Sequence, residues 1–170
     1  MKTLSVLATS VLLTFSAVAP SFAAPTKAAV VQSQIDVNQA ISIAKQKAQG
    51  KVKSVDFDKD DSEYEVELAT TNTKYEVKID ARTGKVNSQK QERIKTKDTA
   101  KYKALNTAKV DLAKAIQIAA NSGNGQVVDA EFDIEKGTAV YEVKTVKNGQ
   151  RYEVVIDANT GRVIQTKRDS

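Results

Sequence analysis

The sequence predicts an α+β fold of two tandem repeats, each with one helix packed on a small antiparallel sheet of three to four strands. Three observations predict it. The chain repeats itself: 36–58 matches 111–133 at 9 of 23 positions, and 64–86 matches 141–163 at 12 of 23. Self-similarity of this extent marks a duplicated supersecondary unit. Tyr75, Val77 and Ile79 alternate with Glu76 and Lys78, and Tyr152, Val154 and Ile156 stand at the same positions of the second copy. That period of two is the mark of a strand with one buried face. Each copy also opens with an Asp followed by apolar residues at helical spacing.

The first stretch reads as an address. Lys2, an apolar run at 4–18 and small residues at Ser21 and Ala23 predict a secretory signal peptide at 1–23, cleaved after Ala23. The run is short for a membrane span. No integral membrane segment is expected after cleavage, and the mature chain is expected to be exported to a periplasmic or extracellular location. Residues 24–35 form an N-terminal tail. The chain has no Cys, so an exported protein that could carry disulfides must here be held by packing.

The first repeat is placed at 36–93 and the second at 109–168. Asp36 and Asp111 are the expected helix N-caps, with Gln39 completing a capping box in the first. Val37, Ala40, Ile41, Ala44 and Ala48 fall on one helical face, as do Leu112, Ala115, Ile116 and Ala119. Gly50 and Gly125 are assigned to the exit turns. Strands follow at 52–57 and 127–132, then at 64–68 and 141–143. Asn148-Gly149 is a two-residue hairpin signal, and Thr71-Asn72 is expected to form a looser version in the first repeat. The third strands end in Asp80-Ala81-Arg82-Thr83-Gly84 and Asp157-Ala158-Asn159-Thr160-Gly161. Asp at the head of such a turn accepts backbone N–H bonds, and Gly takes the left-handed residue that closes it. Gly84 and Gly161 are therefore expected to be the least replaceable turn residues. A short fourth strand starts at Val86 and Val163. A two-residue insertion between Asp133 and Tyr141 is assigned to a loop containing Gly137.

Residues 94–108 read as a Lys-rich linker, with Lys95, Lys97, Lys101 and Lys103 against Asp98. Residues 35–93 and 109–170 are each balanced in charge, so the net +5 of the whole chain belongs to the linker and to Lys2 and Lys27 of the N-terminal stretch rather than to a folded basic face. Nucleic-acid binding needs such a face and is not expected. The linker is read as a solvated connector.

Catalytic options are few. The chain has no His and no Cys, which removes imidazole and thiolate metal sites and the usual nucleophile–base pairs. No phosphate loop, dinucleotide fingerprint or G-x-S-x-G is present. Asp58, Asp60, Asp61 and Glu63 are expected to form a solvated hairpin loop rather than a calcium site, since they lack the glycine and the distal Glu of an EF-hand. Glu65, Glu67 and Glu76, with Lys74 and Lys78 beside them, form a polar sheet face. No enzyme activity, cofactor or metal is expected, and no binding residue is singled out.

The pattern Y-x-V-x-I-D-x-x-T-G-x-V, present in full in both copies and preceded by an amphipathic helix, resembles the PepSY domain. The resemblance covers about 36–167. It implies one helix on a small antiparallel sheet and a role in restraining peptidases, as in the propeptides of thermolysin-like metallopeptidases. The family motif is carried by Tyr75, Val77, Ile79, Asp80, Thr83 and Gly84, and by Tyr152, Val154, Ile156, Asp157, Thr160 and Gly161. Each already has a structural job in the strand-and-turn reading. A protein partner is expected, and the resemblance implies that it is a peptidase; the alternative is a cell-envelope sensor or scaffold that binds peptides or other ligands without inhibition.

Overall fold

The computed structural model describes residues 34–122 and 125–168. The signal peptide and most of the N-terminal tail lie outside the described residues. In chain order the elements are α1 (Val37–Lys47), β1 (Lys51–Asp58), β2 (Glu63–Ala69), β3 (Thr73–Asp80), β4 (Val86–Arg93), α2 (Thr99–Thr107), α3 (Leu112–Asn121), β5 (Gln126–Glu135), β6 (Thr138–Lys147), β7 (Gln150–Asp157) and β8 (Val163–Arg168). A short 3-10 turn at Thr96–Asp98 leads into α2.

All eight strands belong to one antiparallel sheet in the order β4-β3-β2-β1-β5-β6-β7-β8. The two halves join at β1 and β5 through three residue pairs: Ser54 with Glu131, Val55 with Ala130, and Asp56 with Asp129. Because β1 and β5 run antiparallel, a local two-fold relates the halves, and their motif turns fall at opposite ends of the sheet. Bulges at Val52/Ser54 and Val127/Asp129 stand at equivalent positions on either side of this seam.

A row of small apolar side chains crosses the seam. Val77, Val66, Val55, Ala130, Val143 and Val154 are successive cross-strand partners, and all are fully buried. Both amphipathic helices cover this face. Helix α1 buries Val37, Ala40, Ile41 and Ala44, and α3 buries Leu112, Ala115, Ile116 and Ala119. Each fully buried Val, Leu or Ile contributes about 1.5–3 kcal/mol. Both helices start on the Asp caps expected of them. Asp36 Oδ1 accepts from Gln39 N at 2.8 Å, Asp36 N donates in turn to Gln39 Oε1, and Asp111 Oδ1 accepts from Lys114 N at 2.8 Å. The aromatics pack in equivalent pairs, Phe57 with Tyr64 and Phe132 with Tyr141. Thr145 interrupts this agreement: it stands where the first repeat has Leu68, is fully buried, and its hydroxyl has no hydrogen-bond partner among the described residues.

Three local expectations are corrected. Residues 94–108 are not a solvated linker: α2 buries Tyr102 and Leu105. Its apolar residues Tyr102, Leu105 and Ala108 recur at three-residue intervals, enough for one helical stripe under the lysines. The two-residue insertion before Tyr141 does not enlarge a loop. It lengthens β5 and β6, which close through Lys136 and Gly137 at φ +48° and +84°. The Thr71-Asn72 turn is not left-handed like Asn148-Gly149; it is held by the Thr70 hydroxyl, which accepts from Thr73 N at 3.1 Å.

Candidate binding surface

The motif residues divide between core and turn. Val77, Ile79, Val154 and Ile156 are fully buried, while Tyr75 and Tyr152 sit half-buried on the helix-covered face. Asp80 Oδ1 accepts from Arg82 N at 3.1 Å, Thr83 N at 2.8 Å and Thr83 Oγ1 at 2.7 Å. Asp157 Oδ1 accepts from Asn159 N at 2.9 Å and Thr160 N at 2.8 Å. The Thr83 hydroxyl bond foremost, and in the second turn the Asn159 N–H, hold these carboxyls below the ordinary Asp value. Gly84 and Gly161 close the turns at φ +72° and +73°, each N–H donating to the Asp carbonyl four residues back. The Asp and Thr side chains of the motif are thus bonded within their own turns. Asp58 serves a related turn, accepting from Asp60 N and Asp61 N.

The face away from α1 and α3 is polar. One row across it runs Lys78, Glu65, Asp56, Asp129, Lys144, Glu153, Lys167. Ion pairs join Lys78 to Glu65 at 3.2 Å, Lys144 to Asp129 at 2.7 Å and Lys167 to Glu153 at 2.8 Å. At the seam the alternation fails and Asp56 faces Asp129. Partial desolvation first, then the Asp129 charge, raises the Asp56 carboxyl above its ordinary value. Glu142 is raised in the same way, by burial and then by Glu153.

A carboxyl raised by folding opposes folding while ionised, and this opposition is relieved as pH falls through the raised value. Asp56→Asn is therefore expected to stabilise the protein at pH 7 by a few tenths of a kcal/mol, since the site is exposed and screened. The gain should vanish below about pH 3.9, where the Asp carboxyl is protonated folded or unfolded. Thermal melts of both proteins across this range check it; an equal gain at all pH values would point to a cause other than charge.

Helix α2 lies on this polar face and touches both repeats. Tyr102 Oη donates to Glu67 Oε1 at 2.7 Å, and Lys101 pairs with Asp133 at 3.0 Å. Burial, then the Glu67 carboxylate, pushes the Tyr102 phenol up, so it remains a protonated donor. On the other face, a cavity of about 230 Å³ opens between α1 and α3, lined by Ile41, Lys45, Val52, Leu112, Ala113 and Tyr141 among others. The sheet ends in β4 on one side and β8 on the other.

Residues 34–89 and 109–167 each match the PepSY family, described as the peptidase propeptide and YPEB domain. The chain belongs to the PepSY family. Two matched segments make it a tandem PepSY pair, and its eight-stranded sheet is what two such domains build when their first strands pair. Among solved structures, a putative lipoprotein from Clostridium difficile 630 is 25% identical with a TM-score of 0.51, covering 82% of this PepSY chain and 98% of that one. The YpmB protein from Bacillus subtilis is 17% identical with a TM-score of 0.37, over 78% and 97% of the two chains. A putative periplasmic protein from Bacteroides eggerthii is 10% identical with a TM-score of 0.29, over 79% and 89%. No match emerges among curated proteins. No helix among the described residues of the PepSY pair is long and apolar enough to cross a membrane.

Sequence reasoning missed the features that distinguish the surface: the acidic seam, α2 as a bridge, and the exposed apolar residues of β8. The last had a signal. Aligning the repeats position by position puts Val140, Val155 and Ile164 where the first copy has Glu63, Lys78 and Asn87.

Proposed function

We propose that this protein is an exported, non-catalytic binding protein whose two PepSY repeats, at 36–93 and 109–168, restrain a peptidase by occupying its surface or cleft. The observation that carries this reading is the match of both halves to a family described by peptidase propeptides, joined here in one sheet with two open edges. The motif residues serve the fold, so the contact surface lies elsewhere, on sheet face or edge. A standard inhibitory interface buries about 1,600 Å² in total, and an edge strand gives main-chain bonds to an extended segment of the target.

The test titrates the chain lacking residues 1–23 against secreted and envelope peptidases of the source cell. At least one enzyme is expected to lose activity at about micromolar inhibitor, reversibly and without cleavage of the inhibitor. If none loses activity or binds, the inhibitor reading fails and a non-inhibitory envelope scaffold replaces it.

A further inference from the structure

The two repeats differ sharply at one corner of the polar face. In the first, Asn87 Nδ2 donates to Glu63 Oε1 at 2.6 Å and Lys78 pairs with Glu65, so the corner is polar and closed on itself. In the second, the equivalent positions are Val140, Val155 and Ile164. Val140 and Val155 are buried but stand apart from the main core cluster. Ile164 is 55% exposed. Val140, Ile164, Thr138 and Gln165 line a depression of about 510 Å³, with Glu135 and Lys136 completing it.

This depression adjoins a free edge. Among the described residues strand β8 has β7 as its one neighbour, so the backbone N–H and C=O groups on its outer side have no described strand to pair with. Residues 162–168 contain Arg162, Lys167 and Arg168 and no acidic residue. Both edges carry one equivalent ion pair, Lys90 with Glu76 and Lys167 with Glu153. The opposite edge differs in that its Gln89 side chain donates to Lys47 O at 3.0 Å and its Glu92 pairs with Lys74.

We propose that β8 is the docking edge of this protein, taking an extended, acidic segment of a partner polypeptide as a ninth strand. One apolar side chain of that segment would sit in the Val140–Ile164 depression. This rests on the binding-protein reading above and names its edge. Main-chain bonds supply an occupant-independent part of the affinity, and the apolar depression supplies register. Charge decides the class of occupant: carboxylates are favoured beside Arg162 and Arg168, whereas a second copy of β8 would bring like charges together.

The experiment uses the chain lacking residues 1–23 and an acetylated, amidated peptide of alternating glutamate and valine. Hydrogen exchange is expected to show the amides of 163–168 protected by the peptide, with those of 86–93 unchanged. Ile164→Asp should weaken peptide binding by roughly tenfold and Lys90→Ala should leave it unaltered, both variants melting as the wild type does. The parallel variant Arg162→Glu/Arg168→Glu should weaken binding of this acidic peptide and strengthen binding of one alternating lysine and valine.

Protection at β4, binding indifferent to Ile164→Asp, or no protection at about millimolar peptide would overturn the assignment of the edge. Peptidase inhibition that persists unchanged in the Ile164→Asp variant would also overturn it while leaving the inhibitor reading intact. Peptide docking at β8 with no peptidase inhibited would do the reverse.

Discussion

Gly50→Ala and Gly125→Ala are each expected to destabilise the protein by about 3 kcal/mol or more. Both glycines sit just before the first strand of their repeat, at φ +107° and +102°, a region that L side chains occupy only under strain. There is also no room. A Cβ on Gly50 would fall on the backbone carbonyl of Ala69, and one on Gly125 on that of Val146. Because backbone and not a side-chain tip blocks the space, the strand end itself must move. Gly84 makes the contrast: a Cβ there would meet the Ile43 Cδ1 tip at 3.2 Å, which can rotate away, so Gly84→Ala should cost nearer 1 kcal/mol. The expectation that Gly84 and Gly161 are the least replaceable is therefore corrected by the tighter pair. Urea unfolding of the four Ala variants checks the ranking. Equal losses at all four positions would show that left-handed strain, and not the backbone contact, sets the cost.

Leu105→Ala should lower stability by about 2–5 kcal/mol, a large part of the 5–15 kcal/mol typical of a domain. Leu105 is fully buried, and α2 is tied to Glu67 of the first repeat through Tyr102 and to Asp133 of the second through Lys101. Lys51 Nζ also donates to Ala108 O at the end of the helix. The segment between the repeats therefore acts as a strap over their seam, where the sheet itself supplies three residue pairs. Halves expressed separately lose both strap and seam and should melt lower and less sharply than the whole chain. For a truly solvated connector, Leu105→Ala would stay within about 0.5 kcal/mol, as surface substitutions do; chemical denaturation distinguishes the two.

Much of this fold was legible because it is written locally. Asp36 and Asp111 cap the helices they precede, the apolar alternation of 75–79 places one face in the core, and Asp80 with Gly84 closes its turn through bonds within five residues. What could not be read depends on distant partners. Nothing near Gly50 announces that Ala69 O will pass beside it, and nothing near Val55 announces Ala130 as its neighbour. Helix α2 was hidden by composition: its lysines dominate the count, whereas Tyr102 and Leu105 decide the packing. The candidate surface was the least legible part, because motif residues draw attention to turns whose polar atoms are already bonded. Val140 and Ile164 stand out when the copies are compared with each other.

The local two-fold also governs whether chains can polymerise. Among the described residues it leaves one free edge at each end of an eight-strand sheet, about 34 Å apart at the usual strand spacing. Two compatible edges would let molecules add head to tail without closing, and an open ribbon would grow. Divergence of the copies works against this. The cationic β8 repels its own kind, and the acidic residue on β4, Glu92, is held by Lys74 of its own sheet. A further copy therefore meets no oppositely charged free end, which works against growth of the sheet into a filament.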